Sequence, residues 1–240
     1  MEENDKYKLT FTGDNLIGRA LCRTEDGPKY KLTDETTNLL GRTLYRIEAL
    51  KDFCEIKKGD KGGFIESENN LAHEGDAWVS DNACVYDNAW VSGNGQVYGN
   101  ARVCGNARVY NHAYVYGDAR VYGDAFVCGY AHLSDNAQVY GHACVYGDAC
   151  VYSDAFVRGY ARVCGDAEIS NKSDYIVFQN WWSSGRYFTW TRSNNMWSVG
   201  CFYGTGEELI KKAYKDSELS GREYERIVKY VEEIRKDNGK

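Results

Sequence analysis

Aromatic and basic residues are concentrated in one short stretch near the end of the chain, NWWSSGRYFTWTRSNNMW, at positions 180–197. It holds four of the six tryptophans and two arginines. A tight polar loop with free amides, beside a guanidinium group and an indole ring, suits a phosphate or carboxylate on a ligand that also carries a ring. We therefore predict a ligand or partner site that includes Trp181, Arg186, Trp190 and Arg192.

The same stretch also fits a hydrophobic core. By alternation along strands, Trp182, Phe188, Trp190 and Trp197 share one face, which leaves Trp181 on the other. An apolar face of this kind packs under helices, so the core interpretation is the default for most of these rings. It competes with the ligand role of Trp190, and the two interpretations stay open at this point.

Histidine is the residue type that most often acts as a general base, and the chain contains four. His112, His132 and His142 lie within a repetitive region, and His73 lies just before it. No histidine and cysteine cluster has metal-ligand spacing, so we predict no metal site. We interpret all four histidines as surface or turn residues, with a catalytic role for His112, His132 or His142 as the alternative.

Composition and charge exclude several classes of protein. The net charge of −6 argues against general nucleic-acid binding. No run of eighteen apolar residues exists and the chain does not start like a signal peptide, so we predict no membrane partner. The nine cysteines are scattered and never form a CxxC pair, which is typical of reduced thiols in a cytoplasm.

A six-residue repeat occupies the middle of the chain. From position 75 to position 170 the sequence consists of sixteen consecutive hexads such as GDARVY, without an insertion. The third position is alanine except at Gly95, and the fifth is valine except at Leu133 and Ile169. Residues two apart on a strand share one face, so this pair fills a narrow interior while the Gly-Asp or Gly-Asn pair turns the corners. The period therefore predicts a three-sided solenoid with eighteen residues per coil.

The hexad resembles the motif of the hexapeptide-repeat superfamily, whose fold is a left-handed parallel β-helix. Sixteen hexads at three per coil give about five to six coils. For the enzymes of that superfamily, the resemblance implies an acyl-CoA-dependent transferase with a histidine base between subunits. The segment before the repeat, YRIEALKDFCEIKKGDKGGFIESENNLAHEGDAWV, also resembles the entry segment of hexapeptide-repeat proteins carried by phages and mobile elements. This chain departs from the enzymes in having tyrosine, serine or cysteine after the aliphatic residue, in all hexads but the one that ends in Arg158, and in having no protruding loop.

The outward positions of the repeat predict a contact surface. Eight hexads end in tyrosine, and residues eighteen apart stack on the same side of a solenoid. Arg102 and Arg120 are eighteen apart, as are Tyr122 and Tyr140, so we predict that these four form a contact patch for an anion or a partner. Exposed aromatic area on this scale also favours a homo-oligomer, either a dimer or a trimer.

Three regions follow from these patterns, and we expect a mainly β protein. Residues 1–62 form an N-terminal β cap, with strands at YKLT and TLYRIEAL around a turn at Gly41. Residues 63–170 form the β-helix. Residues 171–240 form a small α+β domain, a three-stranded antiparallel meander followed by two helices that open at Thr205 and Ser220.

We therefore expect a non-catalytic binding protein, encoded by a phage or mobile element, in the cytoplasm of its host. It binds a host protein or sequesters a small nucleotide-like anion, as an inhibitor of host defence does, and it needs no cofactor. The alternative is an acyltransferase that uses acyl-CoA and one of His112, His132 and His142.

Overall fold

The computed structural model describes residues 27–237, so part of the predicted cap, residues 1–26, lies outside the described residues. Three strands come first: β1 (Tyr30–Leu39), β2 (Arg42–Ala49) and β3 (Lys61–Ile65). A short 3-10 turn at Glu68–Asn70 follows. The hairpin of β1 and β2 turns at Gly41 as predicted, and β1 continues well beyond the YKLT motif.

Sixteen two-residue strands, β4 to β19, follow in order, one from each hexad. They are Trp78–Val79, Cys84–Val85, Trp90–Val91, Gln96–Val97, Arg102–Val103, Arg108–Val109, Tyr114–Val115, Arg120–Val121, Phe126–Val127, His132–Leu133, Gln138–Val139, Cys144–Val145, Cys150–Val151, Phe156–Val157, Arg162–Val163 and Glu168–Ile169. Each pairs in parallel with the strand eighteen residues away, so the strands form three sheets. The predicted parallel β-helix, of about six turns, is confirmed.

The third and fifth residues of each hexad fill the interior of the solenoid, and Trp78 with residues of the N-terminal region extends this core at one end. Ala119 and Val121 are fully buried, and so are their counterparts in the other coils. The first residue of every hexad has a positive φ, for example +66° at Gly117 and 54° at Asp135. Glycine, aspartate and asparagine tolerate this left-handed conformation, which explains why they occupy all of these positions except Ser153.

The N-terminal end of the solenoid is covered by side chains that donate hydrogen bonds. Between coils, the bonds at the corners and strand ends run from an N–H of one coil to a carbonyl of the next, as from Arg102 to Ala119, so the first coil exposes carbonyls. The Lys29 ammonium donates to the carbonyls of Gly75 and Ala77 at 3.2 and 2.7 Å. The Asn70 amide donates in the same way to the carbonyls of residues 87 and 89.

The C-terminal end is covered by hydroxyl groups that accept. Thr189 Oγ1 accepts from the Arg162 N–H at 2.9 Å, and Ser193 Oγ accepts from the Glu168 N–H at 2.8 Å. The Tyr175 hydroxyl accepts from a third N–H of the last coil at 3.4 Å. The two ends thus receive opposite kinds of polar group, because the backbone exposes opposite kinds there.

The C-terminal domain is a sheet between the solenoid end and two helices. Its strands are β20 (Tyr175–Gln179), β21 (Tyr187–Thr191), β22 (Met196–Val199) and β23 (Phe202–Gly204). The meander has four strands rather than the predicted three, because the run MWSVGCFY turns at Gly200, where φ is +58°, and pairs with itself.

Helices α1 (Gly206–Asp216) and α2 (Glu218–Asp237) complete the domain. Thr205 and Glu208 form the predicted capping box of α1. The predicted start of α2 at Ser220 is wrong, because the Ser217 hydroxyl accepts from the Ser220 N–H and the helix already includes Glu218. No helix in the described residues is long and apolar enough to span a membrane.

We expect Thr189→Val to lower the free energy of unfolding by about 1–3 kcal/mol, because the half-buried Arg162 N–H loses its acceptor while the shape of the buried side chain at position 189 is kept. Urea unfolding measures the change. Thr36→Val, on an exposed part of β1, is the control and should change the value by less than about 0.5 kcal/mol. Equal effects of the two substitutions would contradict the capping role.

The burial of Lys29 should make the free energy of unfolding depend on pH in an unusual way. Burial lowers the pKa of its ammonium to about 8, below the ordinary 10.5. Between pH 8 and 10.5 the unfolded chain binds more protons than the folded chain, so the free energy of unfolding increases as the pH rises. Relative to Lys29→Met, the wild type should therefore gain up to about 3 kcal/mol between pH 8 and 10.5. A difference that stays constant with pH, in urea unfolding of both proteins, would refute this.

Candidate functional site

One sheet of the solenoid carries most of the predicted rod residues. Arg102 and Arg120 are outward neighbours on adjacent coils of this sheet. Beside them the rings of Tyr122 and Tyr140 stack with centroids 4.8 Å apart and planes 3° from parallel. Arg158 follows Tyr140 in the same column, eighteen residues later. We call these five residues the arginine–tyrosine face.

The arginines of this face have no carboxylate partner in the part of the chain that the structure describes. Within residues 27–237, none of Arg102, Arg120 and Arg158 forms a salt bridge. A hydrogen bond with the Tyr140 hydroxyl raises the pKa of the Arg158 guanidinium above its ordinary value. Adjacent like charges on neighbouring strands repel, and an anion held between them relieves the repulsion.

The tyrosines of the face are held in place by their own contacts. The Tyr122 hydroxyl donates to Gln138 Oε1 at 3.2 Å. Burial raises the pKa of Tyr122, and the positive charge of Arg120 partly opposes that rise. The structure thus brings together the four rod residues chosen from the sequence. It adds Arg158, which the eighteen-residue spacing from Tyr140 already indicated.

The remaining two arginines of the repeat lie on another sheet and are engaged with rings. The guanidinium of Arg108 lies 5.7 Å from the centre of the Phe126 ring. The guanidinium of Arg162 lies 5.6 Å from the centre of the Tyr146 ring, beneath the C-terminal domain. Arg108 is exposed like Arg120, so it serves as a matched charge outside the face.

The C-terminal residues predicted as a site do not converge. Trp181 is 77% exposed, and it shares a tight loop with Arg186, whose carbonyl accepts from the Asn180 N–H. Arg192 follows the opposite end of β21, about 20 Å along the strand from Arg186. Trp181 and Arg186 can therefore contact one partner, but Arg192 is not part of that surface.

Trp190 is a core residue, which corrects its assignment as a ligand contact. Its side chain is 1% exposed and packs with Phe188, Trp197 and the helices. Its Nε1–H donates to Asn195 Oδ1 at 3.0 Å, so the polar end is also engaged. The alternation of aromatic residues along β21 already favoured this placement.

Each of the four histidines stacks on a tyrosine. The pairs and their centroid distances are His73 with Tyr30 at 4.3 Å, His112 with Tyr130 at 4.8 Å, His132 with Tyr114 at 4.9 Å, and His142 with Tyr160 at 4.8 Å. His132 lies on a strand, whereas His112 and His142 lie at corners. These contacts are those of side-chain ladders, and they do not favour the acyltransferase alternative, which stays a prediction.

Comparison with known proteins supports the repeat fold. The YdcK beta solenoid repeat matches residues 96–111, 101–115, 113–129 and 137–153, all within the solenoid. A search of curated proteins gave no match. Within the described residues, no group of three histidine, cysteine or acidic side chains is placed to hold a metal ion. The sixteen paired hexads and these matches together make the middle of the chain a β-solenoid.

Proposed function

We propose that this protein is a non-catalytic binding protein that holds a small anionic ligand on its arginine–tyrosine face. One observation carries the proposal: Arg102 and Arg120 are adjacent across two coils and have no carboxylate partner in the described residues. A pair of like charges in direct register costs free energy unless something neutralises it. An anionic ligand is the simplest group that does so.

The chemistry of the face favours a phosphate or carboxylate group. Guanidinium groups bind both in a bidentate manner, and each charge-assisted hydrogen bond contributes about 1.5–3 kcal/mol. The stacked rings of Tyr122 and Tyr140 lie beside the arginines and present aromatic edges and a hydroxyl group. A nucleotide-like ligand offers both an anion and a ring to this combination.

The solenoid is suited to binding because its surface is already ordered. Val103 and Val121 are fully buried directly beneath the two arginines, and hydrogen bonds join every coil to the next. Little backbone entropy is therefore lost when a ligand binds. This favours recognition by a fixed array of side chains over induced closure of a loop.

The likeness of the entry segment to phage-carried proteins supports a role inside a host cell. In that setting the protein sequesters a host nucleotide signal, and Trp181 with Arg186 contacts a host protein or a second copy of the chain. A dimer or trimer and a cytoplasmic location belong to the same proposal. The acyltransferase alternative draws on the superfamily resemblance alone.

The proposal predicts that Arg102→Ala with Arg120→Ala weakens binding of ADP at least tenfold, since two charge-assisted contacts are removed. Isothermal titration calorimetry at low and at moderate salt measures the affinity, which should also fall as salt rises. Arg108→Ala removes one exposed positive charge from another sheet and should leave the affinity unchanged.

Two results would contradict the proposal. One is the absence of heat with ADP, with inorganic pyrophosphate and with the nucleotides that copurify from host lysate. The other is an equal loss of affinity in the Arg108 variant. The acyltransferase alternative replaces the binding proposal if the protein turns over acetyl-CoA and if substitution of His112, His132 or His142 abolishes that turnover.

A further inference from the structure

A second sheet of the solenoid contains a gap in its column of tyrosines. The sixth hexad positions on this sheet read Tyr98, Tyr116, Ser134 and Tyr152 along the rod. The rings of Tyr98 and Tyr116 stack 4.9 Å apart with planes 1° from parallel. Ser134 has no ring, so the ladder of aromatic side chains is interrupted at this coil.

The gap has the thickness of one ring. Tyr116 and Tyr152 are two coils apart, which corresponds to about 10 Å at the usual strand spacing. A flat ring placed at the level of Ser134 would lie about 4.9 Å from each neighbour, the same separation as in the Tyr98–Tyr116 pair. A groove of about 480 Å³ lies at this point, lined among others by Tyr116, Ser134 and Tyr152.

The other two columns of sixth positions contain no comparable gap. Where a small residue separates two tyrosines there, that residue is a cysteine: Cys104 between Tyr86 and Tyr122, and Cys128 between Tyr110 and Tyr146. Cys128 is only 8% exposed, and the Tyr110 hydroxyl hydrogen-bonds to it. Tyr86 contacts Cys104 in the same way. A tyrosine hydroxyl therefore contacts each cysteine, whereas the half-buried Ser134 lines the groove between Tyr116 and Tyr152.

The polar groups around the gap define its charge preference. Asp135 and Glu168 line the groove, and none of the described residues that line it is a lysine or an arginine. The imidazole of His132 stands at 87° to the Tyr116 ring, with centroids 6.5 Å apart, and also lines the groove. Asp135 Oδ2 already accepts from the Ser153 N–H, which fixes the carboxylate at the rim.

We infer that this gap is a binding slot for a flat, nitrogen-containing ring that is neutral or positively charged. The ring stacks between Tyr116 and Tyr152, and its N–H groups donate to the carboxylates of Asp135 and Glu168 and to the Ser134 hydroxyl. The slot lies on a different sheet from the arginine–tyrosine face and has the opposite charge preference. It therefore goes beyond the proposed function, and either site stands without the other.

Ser134→Tyr tests the slot directly, because the new ring completes the ladder and occupies the space for the ligand. The probe is benzamidinium, a flat ring with a cationic N–H donor, and ligand-observed NMR titration follows its binding. Wild type should bind one benzamidinium per chain, and Ser134→Tyr should weaken binding at least tenfold. Ser92→Tyr adds a tyrosine at a sixth position on another sheet and should bind as wild type does.

Benzoate is the matched probe with the opposite charge, and it should bind at least tenfold more weakly than benzamidinium. Tyr152→Ala removes one wall and should also weaken binding, which keeps the test decisive if Ser134→Tyr does not fold. The inference is overturned if wild type binds no benzamidinium, if Ser134→Tyr binds it unchanged, or if benzoate binds equally well. None of these outcomes depends on ADP binding at the arginine–tyrosine face.

Discussion

The hydrogen bonds between successive coils are the constraint on which the rest of the molecule depends. Because each coil donates N–H groups to the next, residues eighteen apart lie in columns with a spacing near 4.8 Å. The same bonds leave the first coil with free carbonyls and the last coil with free N–H groups. For that reason Lys29 donates hydrogen bonds to carbonyls at the first coil, whereas Thr189 accepts a hydrogen bond from an N–H at the last coil. The two terminal regions are therefore chemically different caps.

Periodic features of this protein follow from its sequence, and non-periodic ones do not. The burial of Ala119 and the stacking of Tyr122 on Tyr140 follow from the six-residue period alone. The hydrogen bonds between coils fix the direction in which each side chain points. Lys29 makes its capping contacts with Gly75 and Ala77, which follow it by 46 and 48 positions in the sequence. No local sequence pattern indicates contacts over such a separation. The separation of Arg186 from Arg192 depends on where β21 begins and ends, since the two arginines flank Tyr187–Thr191.

The repeat divides structural and functional roles between alternate residues. Inward alanine and valine are nearly invariant along the chain and build the same narrow core in every coil. Outward residues differ from coil to coil, so each sheet has its own chemistry. One sheet presents guanidinium groups that form no salt bridge within residues 27–237, beside stacked tyrosines, and another presents carboxylates around a one-ring gap. A rigid solenoid can thus carry two sites of opposite preference without a mobile loop.

The central claim is that the arginines of one sheet bind an anion as a unit. NMR of the arginine Nε–Hε groups during titration with ADP tests it most directly. The account predicts that the signals of Arg102 and Arg120 shift along one common binding curve while that of Arg108, which lies over the Phe126 ring, stays in place. Absence of shifts at Arg102 and Arg120, or equal shifts at Arg108, would contradict it.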